Sequence, residues 1–326
     1  LPTKLSKGYN TLNKYVSKIG LSPVSMIGFL VLILAPFYIS DEFFLRTMVT
    51  AVYFGTLAMG FDLSQGYISV ANWGYIGLSG LGGYVSALLL INKGITPWIG
   101  MIVAGAVAAG FGCLIGVITL KMNSIFTSIV SWFMGLALMS LTMALEPITR
   151  GSNGLTVPLL FSTPWAKPYY FTIAIIALIV FCVLKVVVNS KMGLAFLALG
   201  QDVEAAKTSG VYPLKYKLLN FIISCFISGV CGAFYAHFVG IMTPDSLNTS
   251  HLITVLVAVF LGGRGSIGGP FVAALILVPV LESMNSLMEV KYIIYGLILI
   301  VCMIYYPGGL AELYRKLKKA LTKKKG

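Results

Sequence analysis

The sequence predicts an all-α protein: a polytopic transmembrane helical bundle of about ten membrane segments, one or two of them broken or half-helical. Three observations predict it. Of the 326 residues, 58% are hydrophobic and only 10% are charged, where a soluble domain carries about 25% charged residues. Mean hydropathy is +0.93. The apolar residues also fall into runs close to the ~20 needed to cross a bilayer as a helix, marked off by charges, Pro and polar clusters. Lipid is the solvent such a chain requires.

Taken in order, the predicted spans are 23–40, 43–62, 69–91, 97–119, 125–145, 169–188, 214–240, 252–262, 267–287 and 291–306. Two depart from the rule. The run 252–262 is too short to cross unaided and suits a half-helix, and 69–91 is interrupted by many Gly. No polar or Pro/Ser/Gly-rich linker divides the chain, so 23–310 is read as one membrane domain. It is flanked by a basic segment 1–22 and a basic tail 311–326. Lys4, Lys7, Lys14 and Lys18 resemble the start of a signal peptide. A retained first span explains them better, because many spans follow and no small-residue cleavage site is visible.

Lys and Arg placement sets the orientation. With the N-terminus cytoplasmic and the spans alternating, 18 of the 23 Lys and Arg fall on the cytoplasmic side, and Arg46, Lys93, Arg150, Lys167 and Lys291 on the other. Ten spans return the C-terminus to the cytoplasm, so the expectation is a multi-pass protein of the inner (cytoplasmic) membrane with both termini inside. The net charge of +13 takes its meaning from position. The bases from Arg315 to Lys325 read as an anchor on anionic membrane lipid rather than as a nucleic-acid contact. The five Cys sit in apolar runs without metal-ligand spacing and read as small hydrophobes. Neither cofactor nor metal is expected.

Two Gly-rich clusters carry the first functional expectation. One runs from Ser69 through Asn72, Trp73 and Gly74 to Gly83; the other is Gly262-Gly263-Arg264-Gly265-Ser266-Ile267-Gly268-Gly269-Pro270. Irregular backbone cannot face lipid, so it must be buried in protein or line a wet cavity, and broken helices are a common way to build a solute path. Close helix packing is the other reading, since small residues permit it, and Gly112 and Gly116 fit that one well. Ser69, Asn72, Trp73, Gly74, Gly263 and Gly265 are therefore candidate path residues. Ser152 and Asn153 join them from the outer loop Thr149–Leu155, which is rich in turn formers able to hydrogen-bond a solute.

On the cytoplasmic side the segment 189–213 contains Gly200-Gln201-Asp202-Val203-Glu204-Ala205-Ala206-Lys207-Thr208-Ser209-Gly210 ahead of Pro213. It is polar, helix-prone through Lys207, and stopped by Gly210 and Pro213. A short helix lying along the membrane between two spans suits docking to a cytoplasmic partner; an ordinary amphipathic loop is the plainer alternative.

Glu204-Ala205-Ala206-x-x-x-Gly210 resembles the EAA loop of ABC importer permeases. The chain resembles, more narrowly, the permease subunits of branched-chain amino acid ABC importers, from about residue 55 to the C-terminal region. The matching stretches include Gly66-Tyr67-Ile68-Ser69, Gly151-Ser152-Asn153-Gly154-Leu155, Met192-Gly193, Gly232-Ala233-Phe234-Tyr235-Ala236-His237, Pro244-Asp245-Ser246, Leu261 to Pro270, and Pro307-Gly308-Gly309-Leu310. The chain departs from the family wording after Ser69, where Val70-Ala71-Asn72 replace Leu-Gly-His.

The resemblance implies a second, homologous permease subunit, two cytoplasmic ATPase subunits and an extracytoplasmic solute-binding protein. Asp202, Glu204, Ala205, Ala206 and Gly210 would form the coupling helix on the ATPase. The chain contains no Gly-Lys-Ser/Thr phosphate loop, so ATP hydrolysis is expected on a separate subunit and the chain itself is not expected to be an enzyme. Branched-chain amino acids are the implied solute, with urea, short amides or another small solute as the alternative. An ion-coupled secondary transporter is the rival of another class. It would place an ionisable residue in a span, and Asp62, Glu282 and His237 are the candidates.

Overall fold

The structure, a computed structural model, describes residues 23–38, 41–119, 122–163 and 165–283, isolated positions between 293 and 304, and 308–312. The tenth predicted span falls largely outside these residues, as do the basic segment 1–22 and all but the start of the basic tail. Helix ends follow the punctuation of the sequence. Helix α1 is Pro23–Tyr38, and α2 (Glu42–Gln65) is capped by Asp41, whose carboxylate accepts the Phe43 N–H at 3.0 Å. Helix α3 (Tyr75–Lys93) ends on left-handed Gly94, and α4 (Pro97–Ile118) opens on Pro. Helix α5 (Ser124–Ala144) is capped by Asn123.

The loop after α5 holds a single turn, α6 (Glu146–Thr149), a 3-10 turn at Gly151–Asn153, and strand β1 (Leu155–Thr156). Then come α7 (Ala166–Val188), α8 (Lys191–Gln201), α9 (Val203–Thr208) and α10 (Pro213–Val239). Strand β2 (Ile241–Met242) pairs antiparallel with β1, Leu155 opposite Met242 and Thr156 opposite Ile241. A 3-10 turn at Pro244–Leu247, α11 (Ser250–Gly262) and α12 (Gly268–Glu282) complete the described chain. The protein is an all-α multi-pass membrane bundle. Among the described residues, α2, α3, α4, α5, α7, α10 and the stretch Pro244–Gly262 are long and apolar enough to cross a membrane, and Gly28–Tyr38 and α12 are shorter apolar helices.

Helix α10 is the central element, packed along α4, α3 and α2. Gly makes this contact close: a Cβ at Gly82 of α3 would lie 2.7 Å from the Cα of Gly229 on α10. The Gly residues of α3 therefore serve helix packing. The predicted third span needs correction on this point. Its break lies not in the Gly run but ahead of it, at 66–74, where Ser69 adopts φ +59 and no helix forms until Tyr75.

Helix α10 braces the helices on both sides of the break. Asn220 donates to the Leu63 carbonyl at 2.8 Å, Ser224 to the Gly60 carbonyl at 2.8 Å, and Ser228 to the Tyr75 carbonyl at 2.7 Å. The three donors stand four residues apart and share one face. All three are fully buried. A bundle surrounded by lipid tolerates interrupted helix only when neighbours take up the freed polar groups in this way.

The eighth crossing is also composite. After α10 the chain turns back beside α3, where Tyr84 donates to the Met242 carbonyl at 3.3 Å and Leu247 packs on Gly80. Helix α11 begins only after this descent. The short run 252–262 is the helical part of a crossing that begins in the 3-10 turn at Pro244.

Candidate functional site

The second Gly-rich cluster meets the segment that leads into the first, and one acid joins them. Asp62, near the end of α2, is fully buried, and its carboxylate accepts two backbone N–H groups from the turn between α11 and α12. Gly265 donates to Oδ1 at 2.8 Å and Ile267 to Oδ2 at 3.0 Å. Tyr67 closes the junction from the 66–74 segment by donating its hydroxyl to the Gly265 carbonyl at 2.9 Å. The turn is strained: Ile267 has φ +55 and ψ −55, which a β-branched residue avoids. Such a conformation costs about 1–3 kcal/mol and persists where its surroundings over-determine it. The carboxylate and full burial of Ile267 supply that constraint.

The junction touches the candidate coupling segment. Gly200, near the end of α8, lies against the Tyr67 carbonyl so closely that a Cβ there would collide with it. Helix α9 follows directly. Asp202 caps it, accepting the Glu204 N–H at 2.8 Å and the Ala205 N–H at 3.1 Å. Glu204 pairs with Lys207 across one turn at 2.6 Å. Ala206 is buried, while Asp202, Glu204, Ala205 and Gly210 are exposed. Gly210 takes φ +82 and its N–H bonds the Lys207 carbonyl at 3.0 Å, so the helix ends where the sequence expects it to end. One side of α9 is thus anchored by Ala206 and the other presents a small polar knob.

The candidate path residues do not form one site: Ser152 and Asn153 stand apart from the other six. Helices α2 and α10 run antiparallel, with Leu63 beside Asn220 and Tyr53 stacked on Tyr235. Ser152 and Asn153 lie exposed in the β1 loop, at the end reached by Val239 of α10. Of those six, Ser69, Gly263 and Gly265 lie in the segments around Asp62, and Asn72, Trp73 and Gly74 lie nearer the middle of α10, where Asn72 meets Cys225. Within that group Ser69 is exposed and Asn72 is fully buried. Asn72 Nδ2 donates weakly to Cys225 Sγ at 3.4 Å, and among the described residues its Oδ1 has no partner. The Trp73 N–H donates to Ser131 Oγ at 3.0 Å, and its ring meets Trp132 edge-on at 6.2 Å. Gly74 backs onto the Ser131 carbonyl of α5.

Two of the ionisable candidates for ion coupling are engaged in structure. Asp62 holds the turn described above. His237 is fully buried, with Nδ1 2.8 Å from the Pro158 carbonyl and Nε2 2.8 Å from Ser86 Oγ. A carbonyl can only accept, so Nδ1 carries a proton, and Nε2 shares the second bond with the Ser86 hydroxyl. The ring is fixed between two elements.

Sequence reasoning missed Asp62 as a joint to the 263–267 turn and missed the Asn220, Ser224, Ser228 face altogether. A lone acid inside an apolar run was the available signal for the first. Polar residues repeating every four positions in a span were the signal for the second.

Comparison with known proteins bears on the whole of this arrangement. The sequence model of the family described as branched-chain amino acid transport system / permease component matches residues 43–303. The chain is 28% identical over 331 aligned residues to the high-affinity branched-chain amino acid transport system permease protein LivM of Escherichia coli (strain K12), covering 91% of this chain and 77% of that protein. It is 24% identical to LivH of the same organism, covering 83% of this chain and 97% of that protein. The fructose import permease protein FruF of Bifidobacterium longum (strain NCC 2705) is 25% identical over 57% of this chain and 53% of its own length. No solved structure matches. The family match spans both broken crossings, the Asp62 junction and α9, and this chain belongs to the permease component family of branched-chain amino acid transport systems.

Proposed function

We propose that this chain is one of two homologous membrane subunits of an ATP-driven importer of branched-chain amino acids in the inner membrane, with its termini, α8 and α9 facing the cytoplasm. The family match over residues 43–303 is the observation that carries the reading. LivM and LivH, two different permease proteins of one organism, both align over most of this chain, which supports a heterodimeric pair. Helix α9 supports contact with a cytoplasmic ATPase, because it is short, well capped and exposed, and it abuts the Asp62 junction through Gly200.

In this reading Glu204, Ala205 and Gly210 sit in a groove of the ATPase, with Asp202 capping the helix and Ala206 seating it on the bundle. Closure of the ATPase pair displaces α8 and α9. Gly200 passes that displacement to Tyr67, and the Asp62 clamp carries it to the turn between α11 and α12. The broken crossings move as bodies, a rocking between two states. An extracytoplasmic binding protein delivers the solute at the Ser152–Asn153 end, and anionic lipid holds the basic tail.

Reconstitution with its partner subunits in vesicles tests this. Uptake of labelled leucine should require ATP, the ATPase subunits and the binding protein together. Uptake by this chain alone, driven by an ion gradient, overturns the reading. A sugar is the second reading, favoured by the similarity to the fructose permease; ATP-dependent uptake of fructose but not leucine would select it.

A further inference from the structure

A cavity of about 180 Å³ opens between α2, α3, α10 and the segment descending toward α11. Its apolar wall is made by Tyr53 and Tyr235, stacked at 4.3 Å, together with Ile76. Its polar wall is made by Ser79, Asp245, Ser246 and His251. Drug-sized ligands occupy pockets of roughly 300–1,000 Å³, so this one suits a small solute and not a peptide.

Asp245 is the unusual member. Leu247 and the Ser246 carbonyl lie against Gly80, inside the length of α3, so the acid stands within the bundle's span and not beyond its end. Its Oδ1 accepts from Asn248 at 3.0 Å, and among the described residues no Lys or Arg pairs with it. It is exposed and lines the cavity. An ionisable residue at membrane depth is costly and marks a solute or ion path when it faces a cavity. Asp62 shows the contrast, since two backbone donors occupy its carboxylate. In the same cavity, Tyr53 and Ser79 share one hydrogen bond at 3.2 Å. Two hydroxyls sharing one bond keep one proton available to donate.

We propose that this cavity is a transient site for the solute in passage, where the Asp245 carboxylate holds the ammonium group of an α-amino acid and the apolar side chain lies against Tyr53 and Ile76. The solute's carboxylate takes the spare hydroxyl proton of the Tyr53–Ser79 pair. The site rests on the amino acid reading above and names the residues that would serve it. A single charge pair at an open cavity binds weakly, which suits transport, because the solute must leave as readily as it enters.

The test uses the assembled complex carrying Ser246→Cys. Alkylation of the introduced thiol is followed by peptide mass spectrometry against the unsubstituted complex. L-leucine at millimolar concentration should slow alkylation several-fold. 4-Methylpentanoate, the same molecule without its amino group, should not, and adding Asp245→Asn should remove the protection by leucine. Equal protection by both compounds overturns the proposal, because the acid then reads nothing. No protection in a complex that takes up leucine overturns the site and leaves the permease reading standing. A complex that transports a different solute and not leucine overturns both. Should Asp245→Asn fail to assemble, the leucine and 4-methylpentanoate comparison decides alone.

Discussion

Asp62 shows how one residue can hold two interrupted crossings together. Its two oxygens receive N–H groups from a turn that also carries the strained Ile267 backbone. An amide in its place offers one acceptor and turns a donor toward the other N–H. Leaving one buried donor unpaired costs about 1–3 kcal/mol. Asp62→Asn should therefore lower the thermal midpoint of the purified protein and expose the 263–267 turn to protease. An unchanged midpoint and cleavage pattern would remove Asp62 from this role. The sequence exhibited Asp62 as an acid in an apolar run but could not say what it faced, because its partners lie about 200 positions away and are backbone groups of no distinctive residue type.

At the scale of elements, α9 and the buried face of α10 lead to different experiments. The Glu204–Lys207 pair is largely exposed, and such pairs contribute under about 1 kcal/mol. Glu204→Ala should leave α9 folded, so a complex that hydrolyses ATP without taking up solute would point to a lost contact with the ATPase. Gly210→Val should have the same effect by a different route, since φ +82 is barely open to a β-branched residue. Full uptake in both variants would refute the coupling role of α9. The α10 face answers to stability instead. Ser224→Ala and Ser228→Ala each remove a donor to a carbonyl beside the 66–74 break, and each should cost about 1 kcal/mol in thermal or denaturant unfolding. Helix α9 was legible because helix formers and a Gly stop are local signals. The third crossing was misread because Gly in the sequence signals both a break and a close contact. Gly82 turned out to be the second, facing Gly229 across the α3–α10 contact.

The whole molecule has two ends that the orientation rule assigns to opposite sides of the membrane. Asn153→Cys lies in the exposed loop near β1, and Ser209→Cys lies in the exposed segment after α9. An impermeant thiol reagent should label the first in intact cells and the second only in inverted vesicles. The reverse pattern would invert the proteins's assigned topology. Composition, hydropathy and the spacing of charges determined the membrane class, most helix boundaries and the short helix α9, because each depends on residues near one another in the chain. Which breaks meet, which Gly face helices, and which acids are occupied was decided only in the tertiary structure. A buried carboxylate bound to backbone N–H groups and a cavity assembled from four elements have no periodicity to reveal them. Their partners become neighbours only when the helices pack.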